Sequence, residues 1–182
     1  MGMAAPTYYT AEEVIAMPDD GNRYEVVHGE LLVSPPPRLL HELLVARLIQ
    51  ELANYLREQP VGMVLGSRGD IVFGPTTKVE PDVFVVPLDD ARRMDWKYIK
   101  RLLLVAEVLS PSTARQDRFT KRVEYQRQGV PAYWIVDGEN RRVEVWTPGA
   151  EAPRMESEAL EWHPTGASSP FRLELAELFR PV

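Results

Sequence analysis

Leu102–Tyr125 reads LLLVAEVLSPSTARQDRFTKRVEY, and the rest of the chain is organised around this stretch. Leu102 to Leu109 is apolar except for Glu107, and Ser110-Pro111 bounds it. A short apolar run closed by turn residues predicts a strand buried on both faces. A carboxylate inside it is costly unless it is paired or holds a cation. The period changes after Ser110-Pro111-Ser112-Thr113, and Ser112 or Thr113 is suited to cap a helix from about Ala114 to Gln128. Asp117, Lys121 and Tyr125 stand four apart on that helix and share a face. A buried acid feeding a helix that carries a lysine suggests a site as well as a packing unit.

Working outward, Ala132 to Val136 (AYWIV) predicts a second buried strand and Arg142 to Thr147 an alternating, exposed edge strand. Upstream, Val83 to Val86 is a strand entered through Glu80-Pro81-Asp82, and Val61 to Ser67 and Asp70 to Gly74 are two more around Gly69. Leu88 to Lys100 is polar and basic, a loop or short helix. Leu39 to Glu58 has apolar residues at Leu40, Leu43, Leu44, Leu48, Leu52, Tyr55 and Leu56, the spacing of an amphipathic helix that Pro60 ends. Tyr24 to Ser34 predicts a hairpin turning near His28-Gly29, stopped by Pro35-Pro36-Pro37. Thr10-Ala11-Glu12-Glu13 is a capping box for a short first helix. Met155 to Trp162 is a weak strand, and Leu173 to Phe179 a short helix or strand. Strands mixed with flanking helices predict one α/β (α+β) domain over 1–182, a mixed sheet between helices with an N-terminal β-hairpin.

Composition narrows the chemistry. The 182 residues contain no Cys and only three His, which removes disulfides, thiolate nucleophiles and ordinary zinc sites. No apolar run approaches a membrane span, and the N-terminal residues lack a basic-then-apolar leader, so the expected setting is cytoplasmic. Net charge is −6, which weighs against broad, nonspecific nucleic-acid binding, although carboxylates at a cation site contribute to such a total. Gly62, Gly66 and Gly69 lack the spacing of a phosphate-cradling loop, and no serine has the flanking glycines of a nucleophile elbow.

Asp82 and Glu107 are the strongest pair, each interrupting an apolar strand. If the strands are neighbours, their oxygens meet at one end of the sheet and suit Mg²⁺ or Mn²⁺. Lys121 would stand near, fit to orient water or neutralise phosphate, and Glu30 is a possible third acid. Each has a plainer reading: Asp82 a turn residue after Pro81, Glu107 a buried ion pair, Lys121 a solvated helix face, Glu30 a solvated turn neighbour. His41 opens the long helix without a second histidine at zinc-protease spacing, so packing or capping is its simpler role. Two basic groups, Arg115 to Arg127 and Arg92 to Arg101 with Trp96 and Tyr98 interleaved, fit either nucleic-acid contact or a charged surface.

Taken in order, Gly29-Glu30-Leu31, Pro36-Pro37, His41, Glu80-Pro81-Asp82-Val83, Ala106-Glu107-Val108-Leu109-Ser110-Pro111-Ser112-Thr113, Asp117, Lys121, Tyr125, Gly129-Val130 and Tyr133-Trp134-Ile135-Val136-Asp137 resemble the Uma two family. These are restriction-endonuclease-like proteins of the PD-(D/E)XK nuclease superfamily. The resemblance spans roughly Tyr24 to Trp146. It implies a restriction-endonuclease-like core and Mg²⁺- or Mn²⁺-dependent hydrolysis of DNA phosphodiesters. Asp82 and Glu107 would be ligands, Glu30 a further ligand, Lys121 the catalytic cation, and Asp117, Tyr125 and His41 supporting residues. One departure stands out: the superfamily's lysine, two residues after the second acid, is Leu109 here, which shifts that role to Lys121. The alternative is a non-catalytic nucleic-acid- or protein-binding module that keeps the fold. A homodimer pairing through Arg142 to Thr147 is a further expectation.

Overall fold

A computed structural model of the chain describes residues 7–66 and 69–182. The first helix, α1 (Ala11–Ile15), opens with the expected capping box, Thr10 accepting from the Glu13 amide while the Glu13 carboxylate accepts from the Thr10 amide. Strands β1 (Arg23–Val27) and β2 (Glu30–Ser34) form the hairpin. Its two turn residues, His28 (φ 51°) and Gly29 (φ 82°), both lie in the left-handed region that two-residue hairpin turns favour. Glycine is needed at the second, because a Cβ there would stand 2.5 Å from the Tyr8 ring. Helix α2 (Leu39–Glu58) has the predicted bounds, with Leu44, Leu48, Leu52 and Leu56 buried along one stripe.

Strands β3 (Gly62–Gly66), β4 (Ile71–Gly74), β5 (Thr77–Val79) and β6 (Val83–Pro87) follow. The polar segment after them holds α3 (Leu88–Ala91) and a 3-10 turn at Trp96–Tyr98. Strand β7 (Leu104–Val108) is buried at every position, as its apolar run requires. The helical residues after it begin at Ala114, as expected. Residues 111–113 form a turn before them, and Ser110 ties that turn, its Oγ accepting from the Thr113 amide at 3.3 Å. The helix then widens into a π-turn, Gln116–Lys121, before continuing as α4 (Arg122–Arg127). Strands β8 (Tyr133–Asp137), β9 (Arg142–Trp146), β10 (Arg154–Glu156), β11 (Ala159–Trp162) and β12 (Phe171–Glu174) and helix α5 (Leu175–Leu178) complete the chain.

The described residues form three sheets, with orders β10-β9-β8-β7-β6-β3, β2-β1-β5-β4 and β11-β12. In the largest, β7 and β8 are parallel and the other neighbours antiparallel, the mixed sheet that the sequence predicts. Side chains alternate across β7. Leu104, Ala106 and Val108 join Leu44, Leu48 and Leu52 of α2, while Val105 packs with Phe84, Ile135 and Tyr125 on the opposite face. Glu107 shares the Val105 face and so lies under the π-turn helix.

Two expectations are corrected. Arg142–Trp146 is not an edge: β10 pairs along β9, and four of its five residues are buried, which closes that route to a dimer. Met155 to Trp162 is not one strand, because β10 and β11 belong to different sheets. Among the described residues no helix is long and apolar enough to cross a membrane.

Candidate functional site

The site grows from two strand positions. Val83 on β6 is opposite Ala106 on β7, so Asp82 arrives beside Glu107 and Val108. The Asp82 amide donates to Glu107 Oε2 at 3.2 Å, and the Val108 amide to Asp82 Oδ2 at 2.8 Å. The helix supplies the next layer. Tyr125 Oη donates to Glu107 Oε1 at 3.0 Å, and Lys121 Nζ stands 3.1 Å from the same oxygen. Asp117 Oδ1 is 3.6 Å from that amine. From α2, His41 Nε2 lies 3.0 Å from Asp82 Oδ2.

The hairpin adds two residues that the sequence reading did not single out. Glu25 Oε2 lies 2.8 Å from Lys121 Nζ, and Arg23 Nη1 lies 2.6 Å from Asp82 Oδ1. Glu25 repeats the signature that marked Glu107, a lone carboxylate between apolar strand residues (Tyr24 before it, Val26-Val27 after), so the signal was present in the sequence. Glu30 is outside the cluster. It is exposed beside the turn, opposite Val27, whereas Glu25 lies two residues further from the turn, opposite Leu32. The other anticipated residues, Asp82, Glu107, Lys121, Asp117, Tyr125 and His41, come together. Among the supporting residues, Tyr125 holds Glu107, Asp117 faces Lys121 and His41 contacts Asp82. The basic groups are largely neutralised: Arg118 pairs with Glu144, Arg127 with Glu124, Arg101 with Asp90, and Lys97 with Asp95, which suits a charged surface.

Charge dominates the interior. Four buried carboxylates, Glu25, Asp82, Glu107 and Asp117, face two permanent cations, Arg23 and Lys121. Burial opposes ionisation of Asp82, but the His41 hydrogen bond and the Arg23 charge outweigh it and hold Asp82 well below the usual carboxylate range. Burial pushes Glu107 well above that range, with Lys121 only partly offsetting it. Burial likewise raises Asp117 to about 6, against the pull of Lys121. Lys121 would lose its proton more easily through burial, yet Glu107 and Glu25 raise it further. His41 is raised too, its hydrogen bond to Asp82 overcoming burial.

Asp82 borders a cleft of about 450 Å³ together with Arg23, Arg38, His41, Ser110 and Ser112. Glu107 and Lys121 lie behind it. The donors suit a hard divalent cation in kind: all are carboxyl oxygens, the four acids outnumber the two permanent cations, and Glu25 Oε2 and Asp117 Oδ1 are buried with ion contacts to Lys121 but no hydrogen bond. Among the described residues no three acidic or imidazole groups converge as a ready-made metal cage. Arg23 and Lys121 engage the same oxygens, so an ion has to compete with them.

The Uma2 family model, described as "Putative restriction endonuclease", matches residues 11–176. The chain belongs to the Uma2 family. Among solved structures it is similar to "a putative nuclease belonging to DUF820" from Anabaena variabilis ATCC 29413, at 19% identity and a TM-score of 0.77, over 94% of this chain and 97% of that one. At that identity the likeness establishes the fold. A comparison with curated protein sequences finds no match.

Proposed function

We propose that this Uma2 protein is a divalent-metal-dependent nuclease that hydrolyses DNA phosphodiester bonds. Asp82 and Glu107 would hold Mg²⁺ or Mn²⁺, with Glu25 as the adjoining carboxylate in the role that the resemblance gave to Glu30. When bound, such an ion lowers the pKa of water and offsets charge growing on phosphate. The chain supplies the rest. Lys121 keeps its proton and is placed to neutralise transition-state charge from a site shielded from water. Tyr125 fixes the Glu107 carboxylate, and His41 holds Asp82 at the cleft. Asp117 keeps a third carboxylate against the amine.

The observation that carries this reading is the position of Lys121. The superfamily pattern expects its lysine where Leu109 stands, and here a buried ammonium reaches Glu107 at 3.1 Å from the next helix instead. The test is cleavage of supercoiled plasmid and of linear and single-stranded DNA with Mg²⁺, Mn²⁺ or EDTA. Wild type, Asp82→Asn, Glu107→Gln and Lys121→Met are compared, with circular dichroism to confirm folding. Folded variants should lose about a hundredfold or more in rate, the scale of removing one transition-state stabiliser. The Arg23–Asp82 ion pair favours one rival, a binding module in which arginine has taken a metal's place. Absence of cleavage on every DNA form with both metals selects that rival.

A further inference from the structure

We propose that the polynucleotide reaches this site as one unpaired strand laid across the start of α2, not as intact duplex. The first ground is depth. Asp82, Glu107 and Lys121 are each 1% exposed or less, and of these only Asp82 borders the cleft. A cleft of about 450 Å³ has the size of a small-ligand pocket, suited to a nucleotide-scale segment. The phosphates of a duplex lie on the outside of a wide, stiff cylinder that does not follow them into so small a space, whereas an unpaired strand is narrow and flexible enough to bend in.

The second ground is continuity. A smaller cleft of about 220 Å³ shares Arg38, His41, Ser110 and Pro111 with the first. Together they make a path from Asn22 and Pro36, over the start of α2, to Arg118 and the turn at Gly138-Glu139. The path is longer than one nucleotide site and passes directly over Asp82.

The third ground is the chemistry of the walls. Arg38 is exposed at the shared section and makes no ion pair among the described residues. It precedes α2, a 20-residue helix whose first amides have no side-chain cap. Ser34, 4% exposed, lines the first cleft, and its hydroxyl has no hydrogen-bond partner. These groups suit phosphate at the shared section, while Glu42, Asp137 and Glu139 line the flanks of the same walls. Among the described residues His41 is the one aromatic side chain lining either cleft, so the path offers phosphate contacts and little base stacking. Binding should therefore be salt-dependent and nearly indifferent to base sequence. The role of Asp82 in this picture rests on the nuclease reading, but the strand path does not.

The experiment is fluorescence anisotropy of a labelled oligonucleotide, as a single strand and as a blunt duplex, in EDTA over a range of salt. Wild type, Arg38→Ala and Arg154→Ala, a control on β10 that lines neither cleft, are compared. Mn²⁺-dependent cleavage of both forms is measured separately. The single strand should bind about tenfold more tightly than the duplex, a difference of ~1.4 kcal/mol. Arg38→Ala should lower the salt slope for the single strand by about 0.7, one phosphate contact, and Arg154→Ala should leave it unchanged. Single-strand preference without cleavage upholds the path and sinks the nuclease reading. Cleavage with equal or tighter duplex binding does the reverse. No binding of either form at low salt, or an unchanged slope in Arg38→Ala, overturns the path.

Discussion

At the scale of single residues, the site is a set of competing charges, and each is informative when removed. Lys121 is the shared partner of Glu25, Glu107 and Asp117. Removing one partner of a buried pair costs about 3–5 kcal/mol, because the other charge stays buried alone. Lys121→Met should therefore lower stability by about that much in urea unfolding. With Glu107→Gln added, the double variant should lose less than the sum of the two single losses, and a loss equal to that sum would show that the two groups are not coupled. Arg23 makes a separate prediction. It sits on the same Asp82 carboxylate that a metal would use, so Arg23→Gln should bind Mn²⁺ more tightly than wild type in calorimetry. Equal or weaker binding would mean that Asp82 is not a ligand. The sequence displayed these acids through one physical signal, a carboxylate that interrupts a buried strand. Asp82 and Glu107 were legible that way, and Glu25 was equally so. Glu30 drew attention only because it adjoins a turn glycine, and a turn neighbour has solvent to satisfy it.

At the scale of elements, the helix after β7 decides whether Lys121 reaches its partners. Residues four apart drift by about 40° per step around an ideal α-helix of 3.6 residues per turn, so Asp117, Lys121 and Tyr125 would fan across one side. The π-turn at Gln116–Lys121, with the Arg122 amide bonded back to the Asp117 carbonyl, rotates less per residue and brings Asp117 and Lys121 inward together with Tyr125. Such turns recur at functional sites. No propensity rule marks them, because the shift arises when three polar side chains must meet one buried carboxylate, a tertiary demand. The start of the helix at Ala114 was legible, but which hydroxyl ties the turn before it was not, since Ser110, Ser112 and Thr113 are all suited to hold an amide and only the strand end selects among them. Ser110 holds the Thr113 amide and hydroxyl. Ser110→Ala should lower stability by about 1 kcal/mol, with Ser112→Ala close to neutral, as read from thermal melts. The reverse order would make Ser112 the hydroxyl that holds the turn.

At the scale of the whole molecule, the central sheet was legible because each of its strands is short, apolar and bounded by turn chemistry. The chain after Pro148 was not, because its strands are short and only half-buried and the core they pack against, on α2 and β8, is distant in sequence. Those strands turn out to be structural. The β11–β12 hairpin and α5 place Leu160, Trp162, Phe171, Leu173, Leu175 and Leu178 in the same core as α2 and the sheet. Trp134 on β8 stacks with Phe171 at 6.0 Å, and Arg47 of α2 donates to the carbonyls of Leu178 and Arg180. A fully buried large apolar side chain is worth about 1.5–3 kcal/mol. Six of them amount to something on the order of 10 kcal/mol, comparable with the whole stability of a typical domain, about 5–15 kcal/mol. A chain ending at Glu156 should therefore lose its cooperative melt and bind a hydrophobic dye at room temperature, although every candidate site residue is still present. The site itself would fail with it, because α2 carries His41 and is held in place from the side that the hairpin covers. If the shortened chain instead melts sharply within a few degrees of the full one, the hairpin is an accessory to the sheet, and the packing of α2 must be sustained by β6, β7 and β8 alone.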